Sequence, residues 1–348
     1  MSIALQVALV MVTILVVLLV IGAPIGVAIG MSSAVSMICM IPADVSFATS
    51  AQRIFAGSNS FSLIAIPFFI LAGNIMNNGG IATRLVNCAK VISGRMPGAL
   101  AQSNVVANML FGAISGSGAA AAAAMGGTIG PLEEKEGYDK NYSTAVNVAS
   151  APVGMLIPPS NTMIVYSSVA GSVSIAALFM AGYIPGLLWG GAVMILAGIM
   201  AKKRGYQAEQ RVPVKVALKT FWQAIPSLLL IVIVIGGILG GIFTATEGSA
   251  IAVVYATVLS LIYKAFKIKD IPRIVLEAAK TTGIITFMIG LSSIMSLAMA
   301  FTGIPAAISG VMLSISSNKY VILLIINVIL LIVGTFMDMT PACLIFTP

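Results

Sequence analysis

The chain has 348 residues, of which 59% are hydrophobic and only 8% are charged, with a mean hydropathy of +1.09. A soluble domain carries about 25% charged residues, so a water-soluble globule is excluded and a polytopic membrane protein is predicted. Because the chain contains no His, His-based catalysis and most zinc sites are also excluded. The net charge of +8 is better explained by basic cytoplasmic loops than by nucleic-acid binding.

Apolar stretches follow one another along the whole chain, and a membrane-spanning helix needs about 20 such residues. Two stretches, 99–130 and 321–348, are predicted to enter the membrane without a simple crossing. The first stretch of the chain lacks a basic n-region and a small-residue cleavage site, so we expect a retained helix there. The predicted spans are 3–21, 24–40, 61–77, 143–168, 173–200, 225–243, 246–264 and 281–300.

The distribution of Lys and Arg predicts an orientation for these helices. If 99–130 enters and leaves on the same side, nearly all basic residues fall on that side, which is then cytoplasmic. Only Arg53 and Lys319 of the 18 basic residues lie on the other side, together with the N-terminus. The basic segments are 84–95, 135–140, 202–219 and 264–280.

A four-residue segment, Ser115-Gly116-Ser117-Gly118, lies in the middle of the apolar stretch that begins at Gly98. The helix from Gly98 to Ser115 would be about 25 Å long, short of the roughly 30 Å hydrocarbon core. We therefore predict a helical hairpin with its tip at 115–118, where Gly and small polar residues free the backbone. The alternative is a small-residue seam for helix packing, a role that suits the Ala run at 119–124.

The span 143–168 contains two adjacent prolines, Pro158 and Pro159, followed by Ser160-Asn161-Thr162. Two prolines remove two backbone donors and clash with preceding carbonyls, so the helix must break. A broken helix at the midplane is typical of an ion or substrate site in secondary transporters. The alternative is a proline kink that binds no ligand.

The two halves of the chain align at an offset of about 222 residues. Since the copies have opposite predicted orientations, we predict an inverted repeat, with a second hairpin at 321–348 that enters from outside. By this alignment Pro348 corresponds to position 126, so about 74 further residues, including a second broken helix, are expected. The paired segments are 112–119 with 334–341, 78–81 with 302–304, and 23–26 with 246–249.

Two acidic residues, Glu247 and Asp338, lie within apolar segments. Such residues are costly in a membrane and are usually functional. Asp338 falls at the predicted tip of the second hairpin, where it could neutralise a cation or hold the loop. Glu247 could be functional, or it could cap a helix that starts near Thr246.

Several segments together resemble the large membrane subunit of tripartite ATP-independent periplasmic (TRAP) transporters. The first hairpin and the Pro-Pro-Ser pattern also resemble the wider superfamily of sodium/dicarboxylate symporters. The segments are PFFILAGNIMNNGGI (67–81), FGAISGSGAAAAAAMG (111–126), GYDKNYSTAV (137–146), LIPPSNTMIVY (156–166), GIFTATEGSAIAVVYA (241–256) and VGTFMDMTPACLIFTP (333–348).

The resemblance implies an all-α integral membrane protein, an inverted-repeat elevator-type transporter with two helical hairpins and broken helices. It implies sodium-coupled uptake of an organic acid (sialic acid, another sugar acid or a C4-dicarboxylate) across the bacterial inner membrane. The implied partners are a small four-helix membrane subunit, a periplasmic binding protein and the lipid bilayer. Na⁺ is the coupling ion, with no other cofactor, no nucleic acid and no enzymatic activity.

The resemblance also divides the chain and assigns residues. Scaffold helices are expected at 1–60 and 171–280, the latter with a cytoplasmic loop, and transport-domain elements at 61–170 and 281–348. The implied sodium ligands are Ser115, Gly116, Ser117, Gly154, Ile157, Pro158 and Asn161 for one site, and Asp338, Met339 and Thr340 for another. The implied substrate ligands are Ser117, Ser160, Asn161, Thr162 and Thr340.

Four other classes of protein remain to be weighed. An intramembrane serine protease would need Gly two residues before Ser115, where the chain has Ala113, and a His partner. The chain contains no phosphate-binding loop, which excludes an ATP-driven pump. A stand-alone sodium/dicarboxylate symporter and a channel-like membrane subunit stay open as alternatives.

Overall fold

A computed structural model describes residues 3–171, 173–206, 213–335 and 339–347, and all regular structure in this part of the chain is helical. Two short 3₁₀ helices lie at Phe61–Ile64 and Ile268–Asp270. The helices are α1 (Ile3–Val20), α2 (Ile25–Met37), α3 (Ala43–Ser58), α4 (Ala65–Asn78), α5 (Ile81–Ser93), α6 (Ala99–Ser115), α7 (Gly118–Thr128), α8 (Gly130–Lys135), α9 (Lys140–Ser150), α10 (Val153–Leu156), α11 (Asn161–Ala170), α12 (Ile175–Lys203), α13 (Val214–Leu239), α14 (Ala245–Ile262), α15 (Ile271–Thr302), α16 (Ile304–Ile315), α17 (Lys319–Gly334) and α18 (Met339–Phe346).

The helices form two compact units. The first unit comprises Met1–Leu63, Val165–Ser172 and Gly283–Pro348, and the second comprises Ile64–Ile164 and Val173–Thr282. In the described part of the chain, five helical segments are long and apolar enough to cross a membrane, or up to seven if each of two bent pairs is one span. One bent pair joins α9–α10 to α11 at 49°, and the other joins α16 to α17 at 119°.

The predicted breaks are confirmed. The stretch 99–130 is a helical hairpin, because α6 ends at Ser115 and α7 begins at Gly118. The predicted broken helix is also present, with α10 ending at Leu156 and α11 beginning at Asn161. Both breaks fall within two residues of their predicted positions, since Gly and Pro leave the backbone few other places to depart from helical geometry.

Other boundaries differ from the prediction. The segment predicted as a span at 24–40 is α2, a helix of only 13 residues, or about 20 Å. Helices α3, α5 and α16 were not predicted, since each is short and α3 and α5 carry charged residues that lower their mean hydropathy. The helix predicted at 281–300 begins ten residues earlier, at Ile271 in α15.

Glu247 has a structural role at the start of α14. The Thr244 hydroxyl accepts a hydrogen bond from the Glu247 backbone N–H at 3.2 Å, and Glu247 Oε2 accepts one from the Thr244 N–H at 2.8 Å. This reciprocal capping box satisfies two backbone donors that the first turn leaves unpaired. Of the two interpretations of Glu247, the structure supports the helix cap.

Small residues let the helices of the first unit approach closely. Its buried core includes Ile29 and Met37 of α2 with Ile294 and Ala298 of α15. A Cβ atom on Gly26 would lie 2.9 Å from Met288 Cγ, so a side chain at this crossing would force Met288 to move. This is the packing typical of membrane helices, where close van der Waals contact drives association.

The second unit is built around the first hairpin. Its core joins α6 and α7 to α5, α9 and the end of α12, with Phe111, Leu100 and Met125 among its fully buried side chains. Trp189 donates a hydrogen bond to the Ala149 carbonyl at 2.9 Å, which ties α12 to α9. The first hairpin is therefore packed against α5, α9 and α12 in this unit.

One pattern of helices occurs twice along the described chain. Gly80, at the start of α5, and Gly303, at the start of α16, are both N-cap residues with left-handed backbone, at φ 70° and 67°. Each is followed by a 12- or 13-residue helix and then by a longer apolar one. The helical pattern α5–α6 therefore recurs as α16–α17, close to the offset seen in the sequence.

Gly112 of α6 and Gly154 of α10 approach each other closely in the second unit, because a Cβ on either would collide with the other's Cα. We predict that Gly112→Ala lowers the unfolding temperature. The cost of overpacking is about 1–3 kcal/mol, which exceeds the roughly 1 kcal/mol that Ala gains over Gly in a helix. Thermal unfolding of the purified protein in detergent measures the effect.

The matched control is Gly127→Ala in α7 of the same hairpin, where a Cβ would have no neighbour within 4 Å. This variant should be as stable as the parent or more so, because only the helix-propensity term applies. If Gly112→Ala behaved like Gly127→Ala, the Gly112–Gly154 contact would not be a packing constraint.

Candidate functional site

The tip of the first hairpin is a tight, capped turn. Gly116 adopts a left-handed conformation at φ 62°, and its N–H donates to the Gly112 carbonyl at 2.8 Å, which closes α6. Ser117 is the N-cap of α7, and its hydroxyl accepts from the Ala120 N–H at 3.3 Å. A Gly that ends one helix and a Ser that starts the next are the residues favoured at these positions.

The broken helix passes through an extended segment. Ile157 is extended, with φ −83° and ψ 122°, and Pro158 and Pro159 follow it. Because prolines have no N–H, the carbonyls of Gly154 and Met155 have no helical donor four residues ahead. Ser160 is fully buried, and α11 starts directly after it.

The two breaks contact each other. The Asn161 side-chain amide donates to the Ser115 carbonyl at 3.4 Å. A Cβ on Gly116 would lie 2.9 Å from the Asn161 backbone nitrogen and 3.0 Å from its side-chain nitrogen. The tip of the hairpin and the first residue of α11 are therefore packed as closely as two backbone segments allow.

Glycines on neighbouring helices hold the two breaks together. A Cβ on Gly73 of α4 would lie 3.1 Å from Ser115 Cα, and one on Gly118 would lie 2.8 Å from the Met155 side chain. On α12, a Cβ on Gly186 would lie 2.7 Å from Ile157 Cγ1. Helices α4, α7 and α12 therefore pack directly against residues of the two breaks.

The two breaks expose backbone groups with partial negative charge and backbone groups with partial positive charge. The C-terminal ends of α6 and α10 supply carbonyl oxygens, and the N-terminal ends of α7 and α11 supply backbone N–H groups. Two side-chain oxygens, Ser160 Oγ and Asn161 Oδ1, are buried and have no hydrogen-bond partner in the described part of the chain. Carbonyl and hydroxyl oxygens are ligands for a hard cation, and helix N-termini suit a carboxylate.

The sequence segments that form these breaks contain no positively charged residue. The sequence contains no Lys or Arg between 98 and 131 or between 141 and 201. An anion bound here would therefore depend on backbone dipoles, hydroxyl groups and any bound cation.

The predicted site residues fall into three groups. Ser115, Gly116 and Asn161 are in direct contact, and Ser117, Gly154, Ile157, Pro158, Ser160 and Thr162 lie in the same two breaks of the second unit. Met339 and Thr340 lie at the start of α18 in the first unit and are half-buried. Asp338 lies outside the described residues. The ligand roles of all these residues remain predictions.

A buried amide network below the tip was missed at the sequence level. Asn108 Nδ2 lies 2.8 Å from Asn104 Oδ1, 3.0 Å from Asn147 Oδ1 and 2.8 Å from Ser150 Oγ. The Asn147 amide donates to the Ala122 carbonyl at 2.8 Å. The spacing of Asn104 and Asn108, four residues apart on one face of an apolar helix, is the signal that could have revealed it.

A cluster of tyrosines fastens the start of the broken helix to the end of α12. Tyr138 and Tyr206 stack with ring centroids 4.3 Å apart, and Arg204 pairs with Asp139 at 3.1 Å. The Tyr142 backbone N–H, and to a lesser degree Arg204, lower the pKa of the exposed Asp139. Asp139 is thus kept ionised as the N-cap of α9, which fixes where the broken helix begins.

At the contact between Gly116 and Asn161, the effect of left-handed backbone conformation on stability can be tested separately from the effect of steric crowding. Asn tolerates a left-handed backbone better than other residues with side chains, so Gly116→Asn would be mild if φ alone mattered. Because its Cβ would press on Asn161, we expect both Gly116→Asn and Gly116→Ala to lower the unfolding temperature, by about 1–3 kcal/mol in stability. Thermal unfolding in detergent measures both variants.

The control is Gly137→Asn, since Gly137 also has a left-handed backbone, at φ 77°, but a Cβ there has no neighbour within 4 Å. This control should lose less stability than Gly116→Asn. If Gly116→Asn and Gly137→Asn lowered stability equally, steric crowding at the hairpin tip would not contribute to the loss.

Comparison with known proteins identifies a family. Residues 12–348 match the model of the tripartite ATP-independent periplasmic transporter, DctM component. The chain is 52% identical over 317 residues to the uncharacterized protein YgiK of Salmonella typhimurium, covering 91% of this chain and 73% of that protein.

Two further relatives carry a named substrate. The C4-dicarboxylate TRAP transporter large permease protein DctM of Rhodobacter capsulatus is 36% identical, covering 86% of this chain and 71% of that protein. The sialic acid TRAP transporter large permease protein SiaM of Vibrio cholerae is also 36% identical, covering 86% of this chain and 70% of that protein. The chain therefore belongs to the DctM family of TRAP transporter large permeases, and is a multi-pass membrane component of a transporter rather than an enzyme.

Proposed function

We propose that this chain performs sodium-coupled uptake of an organic acid across the bacterial inner membrane by an elevator motion. The observation that carries the proposal is the contact between two helix breaks at Gly116 and Asn161. In secondary transporters, such paired breaks line the midplane site where coupling ions and substrate bind.

In this proposal Na⁺ binds between the first hairpin and the broken helix. The candidate ligands are oxygens of Ser115, Gly116, Ser117, Gly154, Ile157, Pro158 and Asn161. A second Na⁺ would bind with Asp338, Met339 and Thr340 at the second hairpin. The substrate carboxylate would lie near Ser117, Ser160, Asn161, Thr162 and Thr340, next to the N–H groups of the half-helices and to the bound cation.

The proposed substrate is a C4-dicarboxylate, sialic acid or another sugar acid. The relatives from Rhodobacter capsulatus and Vibrio cholerae are named for C4-dicarboxylate and sialic acid respectively, and both are anions. A site without Lys or Arg suits an anion whose charge is balanced by a co-transported cation. Uptake assays with these candidate acids in reconstituted vesicles would choose among them.

The first functional prediction concerns sodium activation. Ser115→Ala and Ser160→Ala each remove a hydroxyl oxygen, and losing one such interaction costs about 1 kcal/mol. We therefore expect the sodium concentration for half-maximal uptake to rise roughly fivefold in each variant. The measurement is uptake against sodium concentration in proteoliposomes that contain the complete transporter.

The control for this experiment is Ser314→Ala on α16, an exposed hydroxyl that bonds only within its own helix. Sodium activation should be unchanged in this control. If Ser115→Ala and Ser160→Ala also leave it unchanged, sodium does not bind at the paired breaks.

The second functional prediction concerns partners. We propose that a small four-helix membrane subunit and a periplasmic binding protein complete the transporter. The site presents no cationic side chain. Capture of a dilute acid therefore needs a separate protein that binds and orders the acid before it reaches the membrane site, which lowers the entropy lost on binding there. A docked binding protein can drive the elevator only by binding one of its states more tightly.

We expect no measurable uptake by the large permease alone in proteoliposomes. Uptake should appear when the small subunit, the binding protein and an inward sodium gradient are present together. Sodium-driven uptake without the binding protein would instead support a stand-alone symporter, and flux without sodium coupling would support a channel-like subunit.

A further inference from the structure

A cavity of about 360 Å³ lies below the first hairpin in the second unit, away from the tip. Residues from α6, α7, α8 and α9 line it, together with Tyr138. Its buried lining includes Asn104, Glu133, Ser143 and Asn147, whereas Glu134 and Lys140 line it from exposed positions. The cavity is therefore lined by several polar side chains, and its exposed lining, the mouth, carries one residue of each charge.

Glu133 is the unusual residue of this cavity. It is 1% exposed, and it is the only charged residue fully buried in the described part of the chain. Neither carboxylate oxygen has a hydrogen-bond partner among the described residues, and the ion pairs found there join other residues. An isolated carboxylate in such surroundings costs several kcal/mol, so either a proton or a bound cation must neutralise it.

The surroundings of Glu133 supply neutral oxygen ligands. The Ser143 hydroxyl is buried beside Glu133, and it lowers the pKa of Glu133 in part against the larger rise caused by burial. The amides of Asn104 and Asn147 line the same cavity. Carboxylate, hydroxyl and amide oxygens are the ligand set of a hard cation.

The charge of the ligand set indicates a monovalent ion. In the described part of the chain, no group of three or more acidic, His or Cys residues is placed to hold a metal ion together. The one buried carboxylate, Glu133, balances a single positive charge. Divalent cations are typically held by more carboxylates than this cavity offers.

The cavity is also connected to the first hairpin by polar side chains. Asn104 and Asn147 line it, and both accept from Asn108 at 2.8 and 3.0 Å, which in turn bonds Ser150 at 2.8 Å. A Cβ on Gly154, beside the broken helix, would lie 3.1 Å from the Asn108 carbonyl. A continuous buried polar strip therefore runs from the cavity toward the paired breaks.

We propose that this cavity is a site for a monovalent alkali cation, with Glu133 as its charge partner, separate from the sodium sites predicted at the hairpin tips. The cation neutralises Glu133 and fixes α8 and α9 against α6 and α7. Na⁺ and K⁺ share this chemistry, and both are candidates for the bound ion. The site does not depend on the proposed sodium coupling at Ser115 and Asn161.

The test is thermal unfolding of the purified full-length permease, with its small subunit, in choline chloride, NaCl or KCl at constant ionic strength. A cation that binds only the folded state raises the unfolding temperature with concentration. The variants are compared in a Ser115→Ala background, which weakens the tip site. We expect a cation-dependent rise to remain in this background and to become clearly smaller when Glu133→Gln is added, because one of the cation sites is then lost.

The matched control is Glu134→Gln, which removes a neighbouring carboxylate at the mouth and should leave the rise intact. Ser143→Ala keeps the charge and should shift the half-maximal cation concentration upward severalfold. A larger effect of NaCl than of KCl would assign the site to Na⁺, and the reverse to K⁺.

A cation-dependent rise that is equal in Glu133→Gln and its parent would overturn the proposal. So would a Glu133→Gln variant that changes only the pH dependence of unfolding, because Glu133 would then bind a proton instead. Failure of sodium-driven uptake would refute the proposed transport function without affecting this outcome, which needs no substrate.

Discussion

The structure depends on two interruptions of helical hydrogen bonding that meet inside one unit. In a membrane, a backbone group that leaves a helix must find another partner, because lipid offers none. Gly116 and the Pro158-Pro159 pair free carbonyl and N–H groups at the same place, and the Asn161 amide satisfies one of them at Ser115. The groups that remain are the ones available to a ligand.

Glycine makes this arrangement physically possible. Gly73, Gly112, Gly154 and Gly186 each stand where a Cβ would meet backbone or a side chain of a neighbouring helix within 3.1 Å. Two helix breaks can approach only if the surrounding helices do so as well, and helices with larger side chains are kept farther apart. The chain thus uses Gly in two ways, as a left-handed turn at Gly116 and as a contact surface elsewhere.

Much of the first hairpin and of the broken helix could be predicted because Gly and Pro act locally. Their effect on φ and on backbone donors does not depend on what surrounds them. The helix-capping role of Glu247 could also be predicted, because Thr244 lies three residues before it, which is the spacing of a capping box. These features are encoded within a few neighbouring residues.

The features that were missed depend on distant residues. Glu133 lies in a charged segment, Glu-Glu-Lys-Glu, that suggests a solvated loop, and its burial results from packing of α8 under the hairpin. Asn108 bonds Asn147 and Ser150, about forty residues away in sequence. The short helices α3 and α5 combine apolar faces with charged residues. A hydropathy average over each helix is therefore low, although its apolar face is buried by packing.

The absence of Lys and Arg from the paired breaks has a thermodynamic consequence for the proposed function. An anion in such a site gains little from fixed positive charge, so a bound cation supplies most of the neutralisation. Anion affinity must then rise when the cation binds, and linkage requires cation affinity to rise by the same factor when the anion binds. A Lys in the breaks would weaken this mutual dependence, since the anion would then find its counter-charge with or without sodium. The chemistry that makes the site a weak binder of either ion alone is therefore what would make it an obligatory binder of both.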